Sequence, residues 1–181
     1  MSKEMSERSK GEEESLNKRL AAVRLAVFDV DGTLTDGSVS YVGEEEQQSF
    51  SARDGYALAR LASAGIAQVW ITGRGSNPTR RRAEELGVTK LLVGVKNKTL
   101  ALAEVQAELG VSPEETLAMG DDLPDLEMRA GAGLFAAPRD AAPEVVASAD
   151  IVTEARGGRG AAREVCQRLL AAQGAWPEAK A

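Results

Sequence analysis

The sequence predicts an α/β protein with a Rossmann-like, three-layer fold built on a parallel sheet. Short apolar runs alternate with helical patterns along most of the chain. Such alternation implies a parallel sheet that is covered by helices on both faces. The length of 181 residues suits one domain. We expect residues 1–20 to form a disordered charged tail, residues 21–175 the domain and residues 176–181 a flexible C-terminus.

The predicted elements follow from apolar runs and their flanking residues. Strands are expected over residues 24–28, 67–72, 91–93, 116–119, 133–136 and 150–152, and 38–42 with 47–51 should form a hairpin around Gly43. Helices are expected over residues 56–64, 77–86, 99–109, 123–130 and 161–172. Asn77 is the predicted cap of the second helix, with Pro78 at its first position. Glycine closes several of the others, and Ser112 with Glu115 forms a capping pattern.

Composition and charge narrow the function classes. The chain has 28 acidic and 22 basic residues, a net charge of −6, whereas nucleic-acid binders usually carry a basic surplus. It contains no histidine, which excludes histidine acid–base catalysis and histidine zinc ligation. Cys166 is the only cysteine, so no intrachain disulfide can form. No apolar run approaches the ~20 residues of a membrane span, and residues 1–20 lack a signal-peptide pattern. We expect a cytoplasmic enzyme without nucleic-acid or membrane partners.

Polar side chains follow four predicted strands at the point where each strand ends. They are Asp29 and Asp31 after the first strand, Thr72, Gly73 and Arg74 after the second, Lys98 after the third, and Asp121, Asp122 and Asp125 after the fourth. Each group alone has an ordinary explanation as a turn, a helix cap or a surface lysine. Together and in this order they indicate a ligand site, because parallel sheets bind ligands at the carboxyl ends of their strands.

The residue types at these strand ends suit phosphate chemistry. Clustered aspartates repel one another, and a hard divalent cation offsets that cost. Mg²⁺ prefers oxygen ligands and is commonly held by one or two carboxylates together with a substrate phosphate. A carboxylate can attack phosphorus, and Lys98 can neutralise charge as a point cation while Thr72 donates a hydroxyl. The pattern predicts Mg²⁺-dependent phosphoryl transfer.

These motifs resemble those of the haloacid dehalogenase superfamily. The resemblance rests on Asp29-x-Asp31-Gly-Thr, Thr72, Lys98 and Gly-Asp121-Asp122-x-x-Asp125. It implies Asp29 as nucleophile and Asp31 as general acid/base, with Thr72 and Lys98 assisting. It also implies Mg²⁺ bound by Asp29, the backbone carbonyl of Asp31 and Asp121. Asp122 and Asp125 are expected to act around these ligands.

A narrower resemblance links the chain to the capless 3-deoxy-D-manno-octulosonate 8-phosphate phosphatases of lipopolysaccharide precursor synthesis. It rests on residues 50–56, 71–74 and 157–164. The intervals between the motifs leave no room for a cap domain. The resemblance therefore implies a homotetramer in which neighbouring subunits complete each site. The hairpin would supply subunit contacts, and the segment with Arg159 would reach toward a site. Arg53, Gly73 and Arg74 are further candidates for contact with the phosphosugar.

Two alternatives remain open from the sequence. One is a phosphatase of a nine-carbon nonulosonate 9-phosphate, because phosphatases for those sugars share the scaffold and the Gly-Gly-Arg-Gly motif. The other is a non-catalytic phosphosugar-binding module. Five motif residues argue against the second alternative, because a module without catalysis has no chemical need for all of them: Asp29, Asp31, Thr72, Lys98 and Asp121.

Overall fold

A computed structural model describes residues 3–177 of the chain, with side chains described from residue 11. Its centre is a six-stranded sheet in the order β5-β4-β1-β6-β7-β8, in which every neighbouring pair is parallel. The strands are β1 (Leu25–Phe28), β4 (Ala67–Ile71), β5 (Lys90–Leu92), β6 (Thr116–Met119), β7 (Leu134–Ala137) and β8 (Ile151–Val152). The predicted three-layer fold is confirmed.

Seven helices connect and flank these strands within the described residues. They are α1 (Lys3–Ala21), α2 (Ala52–Ser63), α3 (Asn77–Glu85), α4 (Lys98–Leu109), α5 (Leu126–Arg129), α6 (Pro143–Ser148) and α7 (Ala161–Ala172). Single 3₁₀ turns at Pro113–Glu115 and Leu123–Asp125 precede β6 and α5. Over the described part of the chain, no helix combines the length and apolarity needed to cross a membrane.

The sheet is buried on both faces. Along β1, Ala26 and Phe28 belong to a core that includes residues of α2 and α7, whereas Leu25 and Val27 belong to a second core that includes residues of α4. This alternation is the two-residue period of a strand. Because both faces are covered, the polar side chains at the strand ends are left at the edge of the sheet.

A hairpin follows β1 and forms a separate two-stranded sheet. It consists of β2 (Ser40–Val42) and β3 (Glu45–Gln47), which pair antiparallel around Gly43. The predicted second strand over residues 47–51 is wrong in its position, because Ser51 instead caps α2 by accepting a hydrogen bond from the Asp54 amide at 3.2 Å. That cap starts α2 at Ala52, four residues before the predicted start.

The N-terminus differs from the predicted disordered tail, because residues from Lys3 onward are helical. Leu20 is fully buried, and Leu16, one turn earlier, packs against the same core. The side-chain amide of Gln173 at the end of α7 donates to the carbonyl of Leu20 at 3.3 Å and to that of Val23 at 2.8 Å. Burial of one helical face therefore orders the end of this segment. Residues 1–2 lie outside the described residues.

Smaller differences also have local causes. Ser76, not Asn77, caps α3, because its hydroxyl accepts the amide of Thr79 at 3.1 Å. Helix α6 was not predicted from the sequence, and the helix predicted over residues 123–130 begins as a 3₁₀ turn. In the predicted flexible C-terminus, Trp176 packs edge-on against Tyr56. Residues 178–181 lie outside the described part of the chain.

Candidate active site

The site lies where the strand order reverses beside the central strand. The chain runs from β1 to β4 and β5 on one side and places β6, β7 and β8 on the other. Open α/β sheets bind ligands at the carboxyl ends of the strands near such a point. Asp29 directly follows β1, and its backbone amide donates to the carbonyl of Met119 in β6 at 2.9 Å. The end of β1 is thus tied to the loop that carries the acidic residues after β6.

Lys98 joins two carboxylates from different loops. It is the first residue of α4, where Asn97 caps the helix by accepting the amide of Leu100 at 2.8 Å. Its ammonium nitrogen lies 2.6 Å from Oδ1 of Asp29 and 2.5 Å from Oδ1 of Asp125. All three side chains are buried, so solvent screens these ion pairs little.

Asp125 is occupied by hydrogen bonds on both oxygens. While Oδ1 accepts from Lys98, Oδ2 accepts the backbone amides of Asp121 at 2.9 Å and Asp122 at 3.1 Å. Asp125 therefore shapes the loop after β6 and anchors Lys98. Asp122 caps the following 3₁₀ turn through the amide of Leu123 at 2.8 Å.

Asp121 approaches the loop after β1. Its Oδ1 accepts the hydroxyl of Thr33 at 2.9 Å. A Cβ atom added to Gly32, whose φ is +95°, would come within 2.1 Å of Oδ2 of Asp121. Glycine at position 32 is therefore required by both the backbone conformation and the close approach of this carboxylate.

Asp31 points to a different set of partners. Its Oδ2 accepts the hydroxyl of Thr72 at 3.1 Å, and its Oδ1 accepts the side-chain amide of Gln48 at 2.7 Å. Arg74 lies farther away, with Nε 3.8 Å from Oδ1 of Asp31, and pairs with Glu46 at 2.9 Å. The Thr72 hydroxyl has a single proton. It can therefore donate a hydrogen bond to a phosphoryl oxygen only after its hydrogen bond to Asp31 is broken.

Most of these groups line one cavity of about 410 Å³, whereas Asp121, Thr33 and Gln48 are not part of its lining. Its lining comprises Asp29, Asp31, Thr72, Gly73, Arg74, Val95, Lys96, Lys98, Asp122, Pro124, Asp125 and Glu127. The structure therefore brings together most of the site residues expected from the sequence. Within the described residues no cap domain is inserted over this cavity, as expected.

The carboxylates fit a divalent cation. Ligand oxygens of Asp29, Asp121 and Asp125 lie within 4.8 Å of one another. Because Asp125 is already hydrogen-bonded on both oxygens, Asp29 and Asp121 are the side chains that each keep an oxygen without a hydrogen bond to the described residues. When ionised, the carboxylates of Asp29, Asp121 and Asp125 carry three negative charges. Lys98 supplies one positive charge, so the cluster keeps a negative surplus. An all-oxygen site of this charge suits Mg²⁺.

The electrostatics agree with this fit. Burial raises the pKa of Asp29 well above its ordinary value, and the Asp125 carboxylate adds to the effect while Lys98 opposes it. Burial likewise raises the pKa of Asp121 from 3.8 to about 7, with Asp125 and Asp122 adding to it and Thr33 opposing it. Burial lowers the pKa of Lys98, but Asp29 and Asp125 outweigh it and raise that pKa overall. A nearby cation stabilises the ionised carboxylates and so lowers the pKa values that burial raises.

Arg53 and Arg159 do not line this cavity. They line a smaller pocket of about 260 Å³ together with Asp36, Ser49, Phe50, Ser51 and Gly158. Arg159 pairs with Asp36 at 3.1 Å, and its side chain is 70% exposed. Within one chain, these two arginines therefore lie apart from the Asp29 carboxylate.

The glycine-rich segment before α7 packs on the loop after β1. The amide of Gly158 donates to the carbonyl of Thr33 at 3.0 Å. A Cβ atom on Gly157 would lie 1.7 Å from the carbonyl oxygen of Gly32. The buried Asp54 carboxylate holds the other end of the segment, accepting the amides of Gly160 at 3.1 Å and Arg163 at 2.8 Å. The segment thus supports the loop that carries Asp29 and Asp31.

Gln48 and Glu127 are among the residues of the site that were missed from the sequence. Gln48 contacts Asp31, and Glu127 accepts the backbone amide of Lys98 at 2.6 Å. Gln48 lies in a predicted strand of the hairpin and Glu127 in a predicted helix, so neither follows a strand end of the sheet. The position of Glu127 two residues after Asp125 was the one available signal.

Comparison with known proteins defines the class of this fold and site. Residues 94–164 match the model of the haloacid dehalogenase-like hydrolase family. The 3-deoxy-D-manno-octulosonate 8-phosphate phosphatase of Escherichia coli K12 is 42% identical over 160 residues, covering 87% of this chain and 85% of the relative.

Solved structures agree with this relationship. The 3-deoxy-D-manno-octulosonate 8-phosphate phosphatase of Yersinia pestis superimposes with a TM-score of 0.86 at 40% identity, covering 88% of this chain and 86% of that one. The phosphatase of Moraxella catarrhalis, in complex with magnesium, phosphate and the sugar acid, gives 0.86 at 36% identity, covering 88% and 92%. The chain belongs to the haloacid dehalogenase-like hydrolases, in the family of the 3-deoxy-D-manno-octulosonate 8-phosphate phosphatases.

Proposed function

We propose that this chain is a Mg²⁺-dependent phosphomonoesterase that converts 3-deoxy-D-manno-octulosonate 8-phosphate to the free sugar acid and phosphate in lipopolysaccharide precursor synthesis. The observation that carries the proposal is the buried Asp29 carboxylate, held by Lys98 on one oxygen at the floor of the cavity. The substrate is that of the relatives, whose similarity spans most of the chain.

In the first half-reaction, an oxygen of Asp29 attacks phosphorus and the bond from phosphorus to the sugar oxygen breaks. The protonated carboxyl of Asp31 gives its proton to the departing alkoxide, which leaves as the sugar hydroxyl. Lys98 holds Asp29 in place and offsets part of the negative charge of the two reactants. When bound, Mg²⁺ supplies further charge neutralisation for the phosphoryl oxygens.

In the second half-reaction, water attacks the phosphorus of the aspartyl-phosphate. Asp31, now a carboxylate, takes the proton from that water, and the bond from phosphorus to the Asp29 oxygen breaks. Phosphate leaves, and Asp31 is protonated again for the next cycle. The hydrogen bonds that Asp31 accepts from Thr72 and Gln48 hold its carboxyl group in place.

Recognition of the sugar acid is assigned to the arginines. Arg74 lines the cavity beside Gly73 and can contact the anionic substrate. Arg53 and Arg159 line the neighbouring pocket, so we propose that they act on the substrate at a site completed by another subunit.

The exposed hairpin supports an assembly of several subunits, because its residues Tyr41 and Val42 are 65% and 61% exposed and can form subunit contacts. We propose a homotetramer, which size-exclusion chromatography with light scattering tests. Location in the cytoplasm stays a prediction.

The test is phosphate release by purified protein with Mg²⁺. The octulosonate 8-phosphate is compared with a nonulosonate 9-phosphate and with simple sugar phosphates. We expect kcat/KM to be highest for the octulosonate. A reversed preference would replace the substrate and keep the chemistry, whereas no release from any phosphomonoester would overturn the function.

A further inference from the structure

The side chain of Gln48 links the hairpin to the cavity. Gln48 directly follows β3 and is half-buried. Its amide nitrogen donates to Oδ1 of Asp31 at 2.7 Å, on the opposite side of the carboxylate from the Thr72 hydroxyl. Both oxygens of Asp31 are therefore held, one by the end of β4 and one by the hairpin.

The amide oxygen of Gln48 is anchored in turn. It accepts the hydroxyl of Ser76 at 2.5 Å and the hydroxyl of Thr79 at 2.6 Å. Both hydroxyls are buried, and Ser76 also caps α3 through the amide of Thr79. Because the two hydroxyls occupy the oxygen, the nitrogen is the end of the amide that faces Asp31. The first turn of α3 thus orients Gln48.

Arg74 does not replace this contact. Its nearest approach to Asp31 is 3.8 Å, beyond hydrogen-bonding distance, and its guanidinium pairs with Glu46. Glu46 and Gln48 lie two residues apart, so the same stretch of chain orients both the arginine and the aspartate. Gln48 is the hairpin residue that bonds directly to Asp31 in the described structure.

We propose that Gln48 is a positioning residue that fixes the Asp31 carboxylate for proton transfer, anchored by Ser76 and Thr79. The inference rests on the proposed function, in which Asp31 exchanges protons with the leaving oxygen and with water. Gln48 does not line the cavity that holds Asp29 and Lys98. Its loss therefore slows proton transfer without removing the nucleophile.

The decisive experiment is a double-mutant cycle between Gln48 and Asp31. Gln48→Met keeps a similar length and removes the donor. With a simple sugar phosphate, whose alkoxide must be protonated to leave, kcat should fall about tenfold or more, up to the ~10²–10⁴-fold that acid–base catalysis contributes. With 4-nitrophenyl phosphate, whose leaving group needs no proton, the loss should be confined to hydrolysis of the aspartyl-phosphate. KM and the Mg²⁺ concentration for half-maximal rate should stay unchanged. In an Asp31→Asn background the same substitution should have no further effect, because residues that act through one another are non-additive.

Two further variants complete the design. Gln47→Met is the matched control, because Gln47 is the exposed neighbouring glutamine at the end of β3, and it should leave kcat unchanged. Thr79→Val keeps the shape of the side chain and removes one donor to Gln48, so it should give a smaller loss of the same kind. It also serves if Gln48→Met fails to fold, which thermal denaturation reports.

The outcomes separate this inference from the substrate assignment. Turnover of 4-nitrophenyl phosphate without turnover of the octulosonate 8-phosphate would overturn the substrate assignment. The double-mutant cycle between Gln48 and Asp31 could still be interpreted. Equal losses from Gln48→Met in both backgrounds would overturn the positioning role. So would a rise in KM at constant kcat, or an Asp31→Asn variant as active as the parent.

Discussion

The ammonium nitrogen of Lys98 lies 2.6 Å from a carboxylate oxygen of Asp29, and both side chains are buried. The lysine comes from the start of α4 and the aspartate from the end of β1, 69 residues apart in the chain. The pair couples the proposed nucleophile to a buried positive charge. Since Lys98 also binds Asp125, one cation organises both acidic loops.

Lys98→Met should lower kcat by about 10²–10³-fold, the cost typical of removing one preorganised donor from an active site. It should also lower the melting temperature without Mg²⁺, because Asp29 and Asp125 then lose their shared partner. Phosphate release and thermal denaturation measure the two effects. Lys90→Met is the control, since Lys90 pairs with Glu108 at the surface and should leave turnover intact. A Lys98 variant with normal kcat would refute the role.

Asp29→Asn should reduce turnover by about 10⁴-fold or more, as removal of a nucleophile does in other enzymes. The fold should persist, because asparagine keeps the shape of the side chain and Lys98 keeps Asp125 as a partner. Acid quenching with labelled substrate should trap phosphate on the parent protein and none on the variant. Unchanged labelling of the variant would assign the covalent intermediate to another residue.

Stability and Mg²⁺ binding should depend on pH through Asp121. Its pKa is raised from 3.8 to about 7, chiefly by burial, so the folded protein without metal binds more protons than the unfolded chain between these values. The free energy of unfolding of the metal-free protein should therefore fall as pH rises through this window. Mg²⁺ affinity should rise over the same window, because the cation displaces the proton. Denaturation and calorimetry from pH 5 to 8 measure the direction of both changes. Asp121→Asn should reduce the slope of both curves, and the raised pKa of Asp29 accounts for a remaining slope.

Gly157→Ala should damage the site from a distance. The added methyl group would meet the carbonyl of Gly32, which is backbone and cannot yield like a flexible side chain. The loop that carries Asp29 and Asp31 must then shift, so both kcat and the melting temperature should fall. Gly11→Ala is the control, because no atom lies near its added carbon and alanine favours a helix by about 1 kcal/mol. Equal behaviour of the two variants would contradict the packing.

Cys166 should be inert in the folded protein. It is fully buried in α7, and burial raises the pKa of its thiol, so the reactive thiolate is suppressed. A thiol reagent such as 5,5′-dithiobis(2-nitrobenzoate) should react only after unfolding in denaturant. Rapid reaction with the native protein would indicate that α7 opens readily. Because Cys166 lies in the core and not in the cavity, turnover should be unaffected by the reagent under native conditions.

Much of the fold and part of the site could be predicted from local sequence. Strand β6 and helix α7 were predicted with their observed bounds, because apolar period and flanking turns define them. The strand-end rule correctly brought Asp29, Lys98 and Asp125 into contact range. Helix α1 and its packing were not predicted, because Leu16 and Leu20 are ordered by a core that they share with residues of α2 and α7.

What the sequence determined by itself is the set of groups at the strand ends, since the carboxyl ends of parallel strands meet at one edge. Only the tertiary structure decided which oxygen each donor holds. It assigned Lys98 to both Asp29 and Asp125, and Gln48 to Asp31. These contacts join segments far apart in the chain, and their geometry depends on side-chain directions set by packing. Local pattern carries no information about such directions, which is why Gln48 emerged only from the folded chain.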